Sequence, residues 1–139
     1  MDKDNRNLLL QDLSSRIPYG VKVSVNQSQL QNYDYKWKNW SFDEEPQEID
    51  GVSIYGVTFG CMDMSDGVIG FEFIKPYLIP MSSMTEEQEI EFINTCTFLR
   101  GSTFGWTDKT FDWLNKNHFD YRGLIPMGLA IDATNLNIY

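Results

Sequence analysis

Histidine and cysteine, which supply many metal ligands and nucleophiles, are scarce in this sequence: its 139 residues contain one histidine and two cysteines. Cys61 and Cys96 are far apart and form no CxxC pair, so the spacing of a zinc site is absent and we predict no metal. We expect small buried thiols in a reducing compartment, with a disulfide as the open alternative. A Ser-His-Asp or Cys-His site would have to use His118, whose nearest carboxylates are Asp112 and Asp120. No catalytic residue is predicted.

Long apolar runs are missing as well. The N-terminus opens with mixed charges, and its apolar run Leu8–Leu10 is too short for a signal peptide. A membrane span needs about 20 apolar residues, and no such window exists. We therefore predict a cytoplasmic protein without a membrane partner.

Basic residues are few: 11 Lys and Arg stand against 20 Asp and Glu, and the formal net charge is −9. Direct binding to nucleic acid or to anionic membranes is disfavoured, because both depend on Lys and Arg. Solubility explains the acidity most simply. The alternative is an acidic surface that imitates nucleic acid, for which the runs Asp43–Asp50 and Glu86–Glu91 would have to form one continuous face.

Signatures of cofactor binding are absent too. The sequence has neither GxGxxG nor GxxxxGK[ST], so no phosphate cradle is predicted. Asp63–Gly67 looks like part of a calcium loop, but alignment on Gly67 puts Met62 and Phe73 at the first and last ligand positions. We interpret Asp66-Gly67 as a turn and predict no cofactor.

The first part of the sequence predicts a helix followed by a set of strands. Leu10, Leu13 and Ile17 share one helical face, which predicts a helix near Asn5–Ile17 that ends at Pro18. Val21, Val23 and Val25 alternate with polar residues, as in a half-buried strand. We expect a turn at Asn26-Gln27-Ser28, a strand over Tyr33–Trp40, hairpin turns at Asp50-Gly51 and Asp66-Gly67, and strands over Val52–Met64 and Val68–Ile74.

The C-terminal part predicts helices. After an extended segment, Lys75–Pro80, Thr85 and Gln88 form a capping box for a helix that stops at Gly101. Its buried stripe would be Phe92, Cys96 and Leu99, with Ile93 beside it. A second helix begins at Thr107 or Asp108 and buries Phe111 and Leu114, and a short third one starts near Tyr121. The predicted fold class is α+β: an N-terminal helix, an antiparallel meander of four or five strands, and C-terminal helices on one face, with a meander curled toward a small barrel as the alternative. No linker or repeat divides residues 1–139, so we predict a single domain.

Two clusters of side chains are candidate binding sites. The first is aromatic and consists of Tyr33, Tyr35, Trp37 and Trp40. Period-two spacing would put Tyr33, Tyr35 and Trp37 on one strand face, which is either core or an exposed binding surface, since Tyr and Trp dominate interface hot spots. The second is Trp113, His118 and Arg122. Arg122 would pair with Asp120 or Asp112 and order the helix–helix corner, or else bind a ligand.

Three segments carry a resemblance to other proteins: Tyr19–Val23, Ile74–Gln88 and Asp112–Ala133. Together they resemble a family of small uncharacterised proteins from gut Bacteroidales genomes, prophages and phages. The chain departs from that family at Ile79, where an arginine is usual, and in its ending, Asp132–Tyr139. The resemblance implies a phage or mobile-element origin and no particular activity.

These observations favour a non-enzymatic protein-binding or accessory domain whose partner is a protein, with inhibition of a host system as one form of that function. The alternative is a small-molecule-binding protein or enzyme with a pocket between the sheet and the C-terminal helices, near Trp113, His118 and Arg122. The sequence does not decide the oligomeric state.

Overall fold

The structure is a computed structural model that describes residues 1–38, 40–42, 46–63, 65–101 and 103–139. Within them the helices are α1 (Lys3–Arg16), α2 (Gln27–Tyr33), α3 (Glu86–Thr95) and α4 (Asp108–Lys116). The strands are β1 (Lys22–Val25), β2 (Gln47–Ser53), β3 (Gly56–Phe59), β4 (Ile74–Leu78), β5 (Thr97–Phe98), β6 (Phe104–Gly105) and β7 (Ile131–Asp132). The predicted α+β class is confirmed.

Helix α1 forms where the sequence predicts it. The carboxylate of Asp2 caps its N-terminus by accepting a hydrogen bond from the Asn5 amide at 2.7 Å. Leu9 and Leu13, one turn apart, are fully buried. A single turn of 3-10 helix follows at Ile17–Tyr19, and Gly20 closes it in the left-handed conformation that glycine adopts without strain.

The main sheet has the strand order β3-β2-β1-β4-β7. All its pairings are antiparallel except β4 with β7, which is parallel. The predicted antiparallel meander is therefore wrong in its order and in its last strand, and the sheet is not a closed barrel. The segment expected to be an extended connector is β4 itself: Pro76 lies opposite Val23, and the parallel ladder begins one residue later at Tyr77.

The first Asp-Gly pair is not a hairpin turn. Asp50 is an extra residue in β2, a bulge between the pairs Ile49–Phe59 and Gly51–Thr58. Its carboxylate accepts a hydrogen bond from the Thr58 hydroxyl at 2.7 Å, which holds it in the sheet. The chain reverses after Ser53 instead, so the predicted strand Val52–Met64 is broken into the end of β2, a turn and β3.

The second Asp-Gly pair forms a turn, with Gly67 at φ 80°, but not the predicted hairpin turn: β3 ends at Phe59, eight positions before Gly67, and Asp66 has no positive φ. The Asp63 amide donates to the Asp66 carboxylate, and the Asp66 amide donates back to the Asp63 carbonyl. The strand expected over Val68–Ile74 is reduced to a bridge between Ile69 and Val57, followed by a 3-10 turn at Phe71–Phe73.

The segment predicted as a turn and then a strand is helical. The Asn26 side chain accepts from the Gln29 amide at 3.2 Å and caps α2, which buries Leu30. Tyr33 is the last residue of α2, and Tyr35–Trp37 forms a 3-10 turn. A strong local cap decides the conformation here, whereas the period-two aromatic spacing does not.

Both C-terminal helices begin where the sequence predicts, α3 after the predicted cap Thr85 and α4 at Asp108. Thr85 with Gln88, and Thr107 with Thr110, form complete capping boxes. Helix α3 ends at Thr95 rather than before Gly101, because the chain turns into a small β5–β6 hairpin with Gly101 at φ 61°. No short helix follows near Tyr121. There the carboxylate of Asp120 accepts hydrogen bonds from the Leu124 and Ile125 amides at 2.8 Å each and shapes a turn.

The hydrophobic core lies between α1, the sheet and the C-terminal segment. Its fully buried members with the largest side chains include Leu9, Leu13, Leu30, Phe59, Ile69, Phe71, Leu78 and Leu124. Leu114 is also fully buried, as predicted for α4. No helix in the described part of the chain is long and apolar enough to cross a membrane.

Candidate functional site

Exposed apolar side chains are concentrated in residues 86–116, which contain α3, the β5–β6 hairpin and α4. Of the 14 large apolar side chains exposed in the described residues, seven lie between Ile90 and Phe111. These seven are Ile90, Ile93, Phe98, Leu99, Phe104, Trp106 and Phe111. Dense exposure of this kind marks interaction surfaces, whereas scattered exposed residues need no explanation.

The predicted buried stripe of α3 is therefore wrong. Helix α3 has no buried residue: Phe92 is half-buried, Ile93 is 45% exposed, and Leu99 lies in the hairpin region at 56%. Phe111 of α4, also predicted to be core, is 40% exposed.

Three rings contact one another in this part of the molecule, and we call Trp106, Phe111 and Tyr121 the aromatic platform. Each contacts the other two edge to face, with centroid distances of 5.5 Å for Trp106–Phe111, 5.6 Å for Phe111–Tyr121 and 6.2 Å for Trp106–Tyr121. Such contacts add to the energy of burial and fix ring orientation. Trp106 is 43% exposed, so the platform combines an ordered base with a large apolar surface open to solvent.

A buried ion cluster supports the platform from the side of α1. The fully buried carboxylate of Asp12 accepts from Arg16 at 2.9 and 3.0 Å and from Arg122 at 2.9 Å. Arg16 is also fully buried, and it donates to the Phe119 carbonyl at 2.7 Å. The partner of Arg122 is thus Asp12 and not the predicted Asp120 or Asp112. Arg122 therefore joins α1 to the C-terminal segment and does not order the predicted helix–helix corner, since no helix follows α4 near Tyr121.

The same cluster fixes Tyr121. Its hydroxyl donates to Asn115 at 2.8 Å and accepts from Arg122 at 2.7 Å. Two guanidinium groups lie over its ring, Arg16 at 5.2 Å and Arg122 at 4.6 Å from the centroid. A network with these bonds satisfied holds one conformation and reduces the entropy lost on binding.

His118 is buried against Tyr139 and is not in an open site. The two rings stack in parallel at a centroid distance of 3.4 Å. Burial, followed by the charges of Arg16 and Lys22, lowers the pKa of His118 to about 4, so the imidazole is neutral at pH 7. Its Nδ1 and the Nη1 of Arg16 are buried without a hydrogen-bond partner among the described residues.

Tyr139 itself is tied to the sheet. Its hydroxyl accepts from the Lys22 amide at 3.0 Å and donates to the Tyr77 carbonyl at 2.8 Å. Burial raises the pKa of Tyr139 to about 12. The stack therefore anchors the chain end across β1 and β4.

Trp113 belongs to the packing between α3 and α4. Its ring stacks on Phe119 at 5.5 Å and lies 6.0 Å from Phe92, and its Nε1 donates to Glu91 at 3.2 Å. Four described cavities have volumes of about 170 to 410 Å³, and Trp113, His118 and Arg122 line none of these four. The pocket predicted between sheet and helices is not among them.

The other predicted cluster does not form one face. Trp37 is 3% exposed and packs in the core with Phe42, while Trp40 is half-buried and stacks on Phe42 at 5.9 Å. Tyr33 is exposed and contacts Phe73 at 5.2 Å. The side chain of Tyr35 lies outside what the structure describes. The shared strand face is wrong because the backbone is helical.

The acidic runs are described only in part, because Asp43, Glu44 and Glu45 lie outside the described residues. Among the described residues, no group of three His, Cys, Asp or Glu side chains is placed to hold a metal ion.

Comparison of the chain with family models, with curated proteins and with solved structures finds no match. The sequence reasoning missed Trp106, Phe111 and Tyr121 as surface residues, and Asp12 and Arg16 as their support. The one available signal was the density of apolar residues between Ile90 and Phe111, which exceeds what two short helices bury.

Proposed function

We propose that this chain is a protein-binding domain that docks its partner on the aromatic platform and the apolar side chains around it. The observation that carries the proposal is the 43% exposure of Trp106 on a base fixed by Asp12, Arg16 and Arg122. Trp, Tyr and Arg are the residue types that dominate binding energy at protein interfaces.

The partner is proposed to be a host protein met in the bacterial cytoplasm, in keeping with the resemblance to phage and prophage proteins. A domain that covers a host surface without catalysis would act as an accessory factor or an inhibitor. The enzyme alternative has less support, since Arg122 and Trp113 are hydrogen-bonded within the protein and His118 is stacked beneath Tyr139.

The proposal is tested by capture from a Bacteroidales lysate with four immobilised proteins. They are the unchanged chain, Trp106→Ala, Phe111→Ala and a control, Tyr55→Ala, which removes an exposed ring (74%) from the β2–β3 turn. Circular dichroism and thermal unfolding first confirm that each variant is folded.

We expect a protein that is held by the unchanged chain and by Tyr55→Ala and that is lost with both platform variants. Truncating a central hot-spot residue costs about 2 kcal/mol or more, enough to remove a band after washing. A protein retained equally by all four baits, or none above background, contradicts docking on the platform.

A further inference from the structure

Residues 134–139 are fastened to the main sheet at their far end, and we call this segment the strap. Residues 134–137 are all exposed. Beyond them the Lys22 ammonium donates to the Ile138 carbonyl at 3.0 Å, and the Tyr139 hydroxyl bonds to main-chain groups of β1 and β4. Most of the strap therefore buries little surface, and its attachment depends chiefly on its last two residues.

The backbone of the strap turns at Asn137, whose φ is 52°. Asparagine tolerates this left-handed region better than most residues. Nearer the sheet, the Leu136 amide donates to the Ala133 carbonyl at 3.2 Å, and the Thr134 hydroxyl lies 3.3 Å from that of Ser83. Strand β7 ends before the strap begins, so lifting the last two residues breaks no pairing between strands of the main sheet.

The Tyr139 ring covers His118. The two rings lie within 6° of parallel at 3.4 Å, so the phenol keeps water from one face of the imidazole. His118 is 8% exposed, whereas Tyr139 is 45% exposed. Lifting the strap would therefore return the imidazole to water, while Tyr139 is already half in solvent.

The surroundings of His118 disfavour its protonated form. Burial, followed by the charges of Arg16 from α1 and Lys22 from β1, lowers the pKa of His118 to about 4. The Nδ1 of His118 also has no acceptor among the described residues for the proton it would gain. Attraction of an imidazolium to the Tyr139 ring acts in the other direction, but cation–π energies are smaller than the cost of removing a charge from water.

The carboxylates of this region have other partners. Asp12 is paired with two arginines, and Asp120 accepts hydrogen bonds from two main-chain amides. Glu48 is exposed and lies opposite Lys22 in the register of β1 with β2. Among the described contacts, none of the three pairs with His118, so a proton on the imidazole meets cations without a compensating anion.

We infer that protonation of His118 releases the strap, so that in acid Tyr139 leaves the imidazole while α1 and the main sheet stay folded. The released form binds the proton more tightly than the closed form and is therefore favoured as the pH falls. If release restores the ordinary pKa of 6.5, the ratio of released to closed molecules rises by as much as about 300-fold from above pH 6.5 to well below pH 4.

The test is an NMR titration, and the single histidine of the chain makes the imidazole signal of His118 unambiguous. The unchanged chain is compared with Tyr139→Leu, which removes the stacked ring, and with Leu136→Ser, a control at an exposed position of the same strap. Ring signals of 13C-labelled tyrosine report the position of the strap, and the Tyr139 signal is the one missing from Tyr139→Leu. Far-UV circular dichroism reports whether the helices and the sheet persist.

We expect His118 to titrate near pH 4 in the unchanged chain and in Leu136→Ser, and about one pH unit or more higher in Tyr139→Leu. Titration at the same pH in all three proteins would show that Tyr139 does not hold the imidazole neutral. Titration of the unchanged chain near pH 6.5 would show that the imidazole is not shielded. Either result overturns the inference.

The strap itself should respond to the same proton. As His118 titrates, the Tyr139 signal should move to the position of a solvated tyrosine while the circular dichroism stays constant. In His118→Asn, where asparagine tolerates the positive φ of 62°, the Tyr139 signal should keep one position through that range. The inference fails if the Tyr139 signal moves at the same pH in His118→Asn, if it moves only as the circular dichroism is lost, or if it stays in place while His118 titrates.

Discussion

The two halves of this chain use apolar residues in opposite ways. In α1 and the main sheet they are enclosed: Leu9, Leu13, Val21 and Val23 are fully buried. In residues 86–116 they face solvent, and α3 has no buried side chain at all. In α1 and the main sheet, buried apolar side chains stabilise the fold. In residues 86–116, apolar side chains stay open to solvent and are available for binding.

The halves are joined by a few specific contacts. Leu114 of α4 is fully buried, and just beyond this segment the Asp12 cluster connects α1 to Arg122 behind the platform. We infer that the apolar side chains of residues 86–116 contribute less to the stability of the fold than those of α1 and the main sheet. Four predictions test that division, from the largest expected effect to the smallest.

Asp12→Ala should cause the largest loss of stability. It leaves two guanidinium groups without their carboxylate, and breaking a buried pair in this way costs about 3–5 kcal/mol. Urea unfolding followed by circular dichroism measures the loss, with the exposed Glu48→Ala as a control. A loss near that of the control would mean that the cluster does not join the halves.

Leu13→Ala should cost about 3 kcal/mol, because it opens a cavity beneath α1 where the side chain is fully buried. The matched comparison is Ile90→Ala on α3, where 62% of the side chain is exposed. Similar free energies of unfolding for the two variants would contradict the claim that apolar side chains stabilise α1 more than they stabilise α3.

Acid should weaken the fold through His118. Its pKa falls from 6.5 in the unfolded chain to about 4 in the folded protein, so the unfolded state binds the extra proton between those values. The contribution of His118 is complete above about pH 6.5 and declines toward pH 4, by at most about 3 kcal/mol. His118→Asn, which tolerates the positive φ of 62°, should flatten this part of the stability–pH curve. An unchanged slope would show that His118 is not buried in its neutral form.

Ile90→Ser and Ile93→Ser should be the least disruptive changes, each within about 0.5 kcal/mol of the unchanged chain. Both isoleucines are exposed on α3, so their replacement removes little packing. Thermal unfolding measures the effect. A loss of more than about 2 kcal/mol in the free energy of unfolding would mean that these side chains are buried and would contradict the prediction.

Sequence alone predicted the features that depend on near neighbours. The capping box at Thr85, the start of α4 after Thr107 and the turn at Asp66-Gly67 are each set by residues three or fewer positions apart. The Asp50 bulge was missed because its cause, the pairing of β2 with β3, lies in another strand. The support of the candidate site was hidden for the same reason, since Asp12 and Arg122 are 110 positions apart.

The aromatic residues show most clearly what the sequence alone could not predict. Tyr33 and Trp37 have period-two spacing that suits a strand, but the Asn26 cap starts a helix that sends Trp37 to the core and leaves Tyr33 exposed. Phe111 was predicted to be core because apolar residues usually are, and Trp106 was not singled out at all. Their exposure depends on how α3 and α4 pack, which no local pattern encodes.

The central claim is that the partner binds at Trp106, and fluorine NMR of the 5-fluorotryptophan protein tests it most directly. The four tryptophans, Trp37, Trp40, Trp106 and Trp113, give separate signals that are assigned by single substitutions. On addition of the protein captured from the lysate, we expect the Trp106 signal to shift most while those of Trp37 and Trp40 stay in place. A stationary Trp106 signal, with binding reported by Trp37 or Trp40, would contradict it.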